Sequence, residues 1–193
     1  MNNTRAIDES TSHGAGVLAA CRPIDFEKIT LMDALDLATL VEQEAKDRYN
    51  EFAHQMTTHH NPDAAGFFLR MIQIESTHEL RLTERRRKLF GGTPPNVRRE
   101  MIFDIEAPEY DEARSNMTVR RALEAALTSE KKAFDFFDAA VQRVKDPGVR
   151  ELFTELRSEE EEHQGYVVAE LAKLPPDPAN DGSAYEDEPV AID

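Results

Sequence analysis

Two copies of the pattern Glu-x-x-His contain the residues of this chain whose types and spacing could do chemistry. The first copy is Glu75 with His78, and the second is Glu160 with His163. Residues three positions apart lie on the same face of a helix, so each pair can offer a carboxylate and an imidazole to one site. Mixed oxygen and nitrogen ligation of this kind suits iron or manganese better than structural zinc. The two pairs therefore predict metal binding.

A single Glu-x-x-His is common on solvated helix faces, but these two pairs belong to an internal repeat. Each is preceded by the pattern Glu-x-x-Ala with an aromatic residue four positions after the alanine, which begins at Glu42 and at Glu130. Prolines at matching turns, Pro62 and Pro147, then start the helix that carries the pair. The repeat is too long for a solenoid unit and has the right length for a helical hairpin.

Four segments with apolar residues at helical spacing must position these side chains. The residues predicted to cap their starts are Thr30, Asn61, Thr118 and Asp146. Two of the connections are tight turns, whereas the middle one runs from about residue 89 to 117. The predicted fold is therefore all-α, a four-helix bundle made of two helical hairpins joined by a long crossover.

A glutamate interrupts the apolar stripe of each predicted helix near its centre, and two of the stripes also contain a histidine. Burying four carboxylates together costs many kcal/mol, because each loses its water and repels the others. Two divalent cations would balance their four negative charges. The predicted ligands of this two-metal site are Glu42, Glu75, His78, Glu130, Glu160 and His163. A metal-free bundle that serves as a binding scaffold remains the alternative.

Several other polar residues are interpreted as solvated. His54, His59 and His60 fall toward the end of the first helix and are predicted to lie on the surface. Glu44 is two positions from Glu42 and therefore faces elsewhere. The run of four glutamates at residues 159–162, taken alone, is typical of a solvated acidic face.

The charge and cysteine content exclude several classes of protein. The chain has 193 residues with 23 Lys+Arg against 38 Asp+Glu, a formal net charge of −15 that argues against nucleic-acid binding. Its one cysteine, Cys21, excludes an intrachain disulfide and any site built from several cysteines. No apolar run approaches the ~20 residues of a membrane-spanning helix. These features predict a cytoplasmic protein that does not bind membranes.

Both ends of the chain differ in composition from the middle. Residues 1–25 are predicted to form a flexible tail, residues 26–174 the bundle, and residues 175–193 a disordered acidic tail. The sequence Leu-Ala-Ala-Cys that ends at Cys21 resembles a lipoprotein cleavage box. The apolar region before it is shorter than the ~7–15 residues of an export signal, which favours an untethered tail.

Over about residues 30–174, the six predicted ligands resemble the di-iron carboxylate centre of the ferritin-like superfamily. Within that superfamily, the pattern that begins at Glu42 is most similar to rubrerythrins. The resemblance implies a ferritin-like bundle with two iron ions, for which manganese is possible. It also implies that Glu75 and Glu160 bridge the ions, that Glu42 and Glu130 are terminal ligands, and that each histidine binds one ion.

Three departures limit what the resemblance implies. Rubrerythrins typically carry a rubredoxin domain built on four cysteines, so this chain would need an external electron donor such as a separate rubredoxin. They also have an extra glutamate one turn after the third-helix ligand, where this chain has Ala133. Bacterioferritins have a haem-binding methionine where this chain has Ser76, and the proline-rich end leaves no fifth helix for a storage shell.

Two functions therefore remain open for the predicted centre. As an oxidoreductase, it would reduce peroxide or O₂ with electrons from the external donor. As an iron-handling ferroxidase, it would oxidise Fe²⁺ for storage or detoxification. Catalytic residues beyond the metal centre are not assigned. The long crossover permits exchange of hairpins between chains, and together with the resemblance it favours a homodimer.

Overall fold

The computed structural model describes residues 24–101 and 118–175, and within these ranges the protein is helical and contains no strand. The four long helices are α1 (Leu31–Thr58), α2 (Pro62–Phe90), α3 (Val119–Arg143) and α4 (Pro147–Leu171). A short 3-10 helix, Arg99–Met101, lies between α2 and α3. The predicted all-α fold of two helical hairpins is confirmed. None of the helices in the described ranges is long and apolar enough to cross a membrane.

The four helices begin where the capping residues predict. In each case the side chain of the cap accepts a hydrogen bond from a backbone N–H three residues later, as the capping of unpaired N–H groups requires. These residues are Thr30, Asn61, Thr118 and Asp146. At the other end of α2, Gly91 has a φ of 59°, a backbone conformation that glycine adopts without strain. Gly91 therefore allows the chain to turn at the end of α2 without backbone strain.

The chain after α2 runs back along α1. Arg86, near the end of α2, donates a hydrogen bond of 2.8 Å to Asp36 near the start of α1. Arg99 pairs with Glu44 and donates to Asp47 at 2.8 Å. The chain has therefore advanced by at least two turns of α1, about 12 Å at 1.5 Å per residue. The rest of the connection, residues 102–117, lies outside the described residues, as do most residues of the two predicted tails.

Two apolar clusters fill the two ends of the bundle. One cluster, which contains Leu37, Phe137 and Phe153, is formed by the first halves of α1 and α4. The second halves of α2 and α3 complete it. The other combines the opposite halves and contains Tyr49 and Phe68. Helix α3 is therefore antiparallel to α1 and begins at the opposite end of the bundle from the end of α2. The crossover must span the length of the bundle, as predicted.

Candidate metal centre

A layer of buried polar side chains separates the two apolar clusters. Among the described residues, the buried charged side chains are 1–4% exposed, namely Glu42, Glu75, Glu130, Glu160 and His163. His78 completes the six predicted positions, and its side chain is 15% exposed. Each helix contributes at least one of these residues, at the point where its stripe passes from one cluster to the other. The structure therefore brings all six predicted side chains together.

The imidazole of His163 faces three carboxylates from three different helices. Its Nδ1 lies 3.2 Å from Oε2 of Glu130 and 3.3 Å from Oε1 of Glu75. The third carboxylate oxygen is Oε2 of Glu160, at 3.7 Å. Glu130, Glu160 and His163 form one group whose ligand atoms could hold a metal ion, and Glu75 forms another with His163 and His78.

The imidazole of His78 occupies the matching position in the other half. Its Nδ1 lies 3.7 Å from Oε2 of Glu42 and 3.8 Å from Oε2 of Glu75. The two histidine rings stack, with 5.2 Å between their centroids and 8° between their planes. Glu75 therefore directs one oxygen toward each histidine, which is the placement required of a carboxylate that bridges two ions.

The separations of these donor atoms fit metal ligation. Two ligands that are each about 2.1 Å from one ion lie between about 3.0 and 4.2 Å apart, depending on the angle at the ion. The separations from the histidine nitrogens to the carboxylate oxygens, 3.2–3.8 Å, fall within this range. Nδ1 of His78 is moreover buried and has no hydrogen-bond partner among the described residues. A buried donor atom of this kind is rare unless a ligand completes it.

The carboxylates around His163 change the pKa of its imidazole. Burial lowers the pKa of His163, but the nearby carboxylates of Glu130, Glu160 and Glu75 outweigh this and raise the pKa to about 12. In the metal-free protein, the raised pKa keeps a proton and a positive charge on the imidazole of His163. A metal ion would replace this proton, because a histidine ligand must be neutral.

Comparison with known proteins identifies the family. The sequence model of the rubrerythrin family matches residues 33–172, which is most of the chain and includes every residue of the centre. This chain belongs to the rubrerythrin family. Family membership implies a di-iron carboxylate site, and the Glu and His groups described above are the side chains that could form it. The predicted resemblance is confirmed.

A solved structure has the same fold as this rubrerythrin-family chain. It is the crystal structure of an uncharacterized conserved protein from Magnetospirillum magnetotacticum MS-1, with a TM-score of 0.64 and 28% sequence identity. The match covers 76% of this chain and 97% of that one. No curated protein matches the chain.

The hydroxyl of Tyr49 makes the centre of this rubrerythrin-family protein asymmetric. It donates a hydrogen bond to Oε1 of Glu130, whose other oxygen faces His163. The ring of Tyr49 packs on Phe68, with 6.0 Å between the ring centroids. At the matching position of the repeat, Phe137 is buried but has no hydroxyl to donate. Tyr49 therefore orients Glu130, whereas the matching residue Phe137 cannot donate a hydrogen bond to Glu42.

Replacing Tyr49 by phenylalanine should weaken metal binding in the half that contains His163 by about tenfold, because the partner that holds a ligand in place is lost. The packing against Phe68 is retained, so the fold should not change. Fe²⁺ titration under anaerobic conditions measures the affinity. Tyr166→Phe is the control, because the exposed Tyr166 lies 6.4 Å from His163 between ring centroids and should bind metal like the wild type. Equal affinities in the two variants would contradict this role.

Glu159 is the residue near the centre that the sequence analysis missed. Glu160 was predicted to be a ligand and the acidic run around it was interpreted as typical of a solvated face, and residues 161 and 162 are indeed exposed. The side chain of Glu159, however, is only 19% exposed and lies 3.8 Å from Nδ1 of His78. The internal repeat contained a signal, since the residue that matches Glu159 in the first copy is the apolar Ile74.

The other polar residues are distributed largely as predicted. His54, His59 and His60 are exposed, as expected for the end of α1. Glu44 does not enter the centre, but it is not freely solvated either, because it accepts a hydrogen bond from Arg99 of the crossover. Ala133, one turn after Glu130, is fully buried.

Proposed function

We propose that this protein is a di-iron oxidoreductase that reduces peroxide or O₂ with electrons from a separate donor protein. The observation that carries the proposal is the position of Glu75 between two histidines, each of which faces a further buried glutamate. A bundle that served only as a scaffold would have no reason to bury these groups against their desolvation cost. A pair of divalent ions removes that cost.

The two halves of the centre would hold one ion each. From the carboxylates that face each histidine, the more exposed ion would be bound by Glu42, Glu75 and His78, and the more buried ion by Glu75, Glu130, Glu160 and His163. Glu160 is assigned a second bridging role by the family resemblance. Two bound iron ions would supply the electrons for the reduction and open positions for an O–O bond.

The protein would support this chemistry by orienting a metal ligand and by excluding water from the centre. Tyr49 orients Glu130 by donating a hydrogen bond to it. The apolar clusters on both sides of the centre exclude bulk water, which strengthens the electrostatic interactions within it. The His78 side is the route by which a small oxidant would enter, because that side chain is 15% exposed against 3% for His163.

The proposal also includes the partners and the location of the protein. The single cysteine, Cys21, cannot build a rubredoxin-type electron carrier, so electrons would come from another protein such as a separate rubredoxin. We place the protein in the cytoplasm, where such donors are kept reduced, and propose that it acts as a homodimer. Neither nucleic acid nor a membrane is required as a partner.

Anaerobic Fe²⁺ titration followed by stopped-flow mixing distinguishes this function from iron handling. The protein should bind two Fe²⁺ per chain, and H₂O₂ should oxidise the loaded centre faster than O₂ does. An added reductant should then restore the centre for repeated turnovers, each converting one H₂O₂, two electrons and two protons to two water molecules. Oxidation by O₂ of many further equivalents of Fe²⁺, without need of a reductant, would instead support the ferroxidase function.

A further inference from the structure

The carboxylate of Glu159 lies at the edge of the centre, between α4 and α2. Its Oε1 accepts a hydrogen bond from Arg81. Its Oε2 is buried, has no hydrogen-bond partner among the described residues, and lies 3.8 Å from Nδ1 of His78. That nitrogen is itself buried without a hydrogen-bond partner. A buried carboxylate oxygen and a buried imidazole nitrogen that face each other, neither with a hydrogen-bond partner, are suited to bind one metal ion together.

The internal repeat shows that this feature belongs to one half of the centre alone. The residue before the Glu-x-x-His pair is Ile74 in the first copy and Glu159 in the second. The residue six positions after the glutamate of the pair is Arg81 in the first copy and Tyr166 in the second. Arg81 and Glu159 therefore both stand at positions where the two copies differ. They form an ion pair between α2 of the first hairpin and α4 of the second.

We propose that Glu159 is a seventh ligand of the metal centre and binds the ion held by Glu42 and His78. This rests on the proposed function, since it takes the centre to hold two metal ions. The ligand atoms of Glu42, His78 and Glu159 lie within 4.8 Å of one another and form a group that could hold a metal ion. Glu159 would bind through Oε2 alone, because Oε1 is engaged by Arg81.

The charge of the site agrees with this assignment. Four glutamates and two divalent ions sum to zero, so a fifth carboxylate next to the ions would leave one negative charge. Arg81 supplies the matching positive charge, and its guanidinium can remain on Oε1 while Oε2 binds the ion. With the side chain of Arg81 52% exposed and that of Glu159 19% exposed, the pair lies at the solvent-facing side of the centre.

Titration of the metal-free protein with Co²⁺ tests this, since calorimetry gives the affinities and d–d absorption reports the ligands of each ion. Glu159→Gln should still bind two Co²⁺, with about tenfold weaker binding and an altered spectrum at one site only. Glu162→Gln is the matched control, because it removes the same charge from an exposed position of α4 and should behave like the wild type.

A double variant separates ligation from a simple effect of charge. Glu159→Gln with Arg81→Gln restores the net charge of the wild type, so it should bind Co²⁺ as weakly as Glu159→Gln if Glu159 is a ligand. Wild-type affinity and spectrum in either the single or the double variant would overturn the assignment. If the wild type fails to bind two Co²⁺, both the proposed function and the role of Glu159 as a ligand are wrong. If the wild type binds two ions and Glu159→Gln has no effect, only the role of Glu159 is wrong.

Discussion

Replacing Glu75 by glutamine should weaken metal binding in both halves of the centre by about 100-fold or more, since loss of a group that merely supports a metal ligand already costs about 10–100-fold. The reason is that Oε1 of Glu75 faces His163 and Oε2 faces His78, so the substitution affects both halves at once. The amide is isosteric but uncharged, so it leaves the two ions with one fewer negative charge between them. Anaerobic Fe²⁺ titration with iron analysis of the product measures the loss.

Two comparisons make the result for Glu75 specific. Glu84→Gln removes the same charge from an exposed position of the same helix and should retain two Fe²⁺ per chain. Glu42→Gln should weaken binding chiefly in the half that contains His78, since Glu42 faces that imidazole. If Glu75→Gln lost only one ion and left the other at wild-type affinity, the shared position of Glu75 would not be the basis of the site.

Removing the metal should lower the melting temperature of the protein by about 10–20 °C. Ligand at 100 times its Kd stabilises the folded state by about 2.7 kcal/mol per site, so two sites contribute about 5 kcal/mol. For a domain of this size, each kcal/mol shifts Tm by about 2–4 °C. The carboxylates add to the difference, because without metal they repel one another in a buried layer. Thermal unfolding followed by circular dichroism, with Fe²⁺ under anaerobic conditions or with a chelator, measures the shift.

The same measurement on Glu75→Gln provides the control for metal-dependent stability. That variant should melt at nearly the same temperature with metal and with chelator, because its sites are not filled. Its metal-free form should melt no lower than the metal-free wild type, since one repelling carboxylate has been removed. A large rise with Fe²⁺ in Glu75→Gln would mean that the stabilising metal binds elsewhere.

The helix starts and the composition of the buried layer could be predicted from the sequence because they depend on local rules. Thr30 and Asp146 cap helices through bonds to residues three positions away, whatever the rest of the chain does. The glutamates interrupt apolar stripes of helical period, and a stripe reports which face is buried. The internal repeat then indicated that Glu75 and Glu160 lie at the same height in the bundle.

The residues that could not be predicted are those whose environment depends on how one helix is rotated against another. Glu159 follows no apolar stripe, and only the packing of α4 on α2 turns it toward His78 and Arg81. The contact of Arg99 with Glu44 likewise depends on the path of the crossover, which lacks any periodic pattern. Helical period identifies the centre of a buried face far better than its edges, and both residues lie at edges.

The most direct test of a two-metal centre is anomalous diffraction at the iron absorption edge from crystals of the Fe²⁺-loaded protein. Two peaks should lie about 3.5–4 Å apart, the spacing typical of two-metal sites. One should be next to Glu42 and His78, the other next to Glu130 and His163, with Glu75 between them. A single peak, or peaks bound only to exposed carboxylates away from the buried layer, would contradict this account.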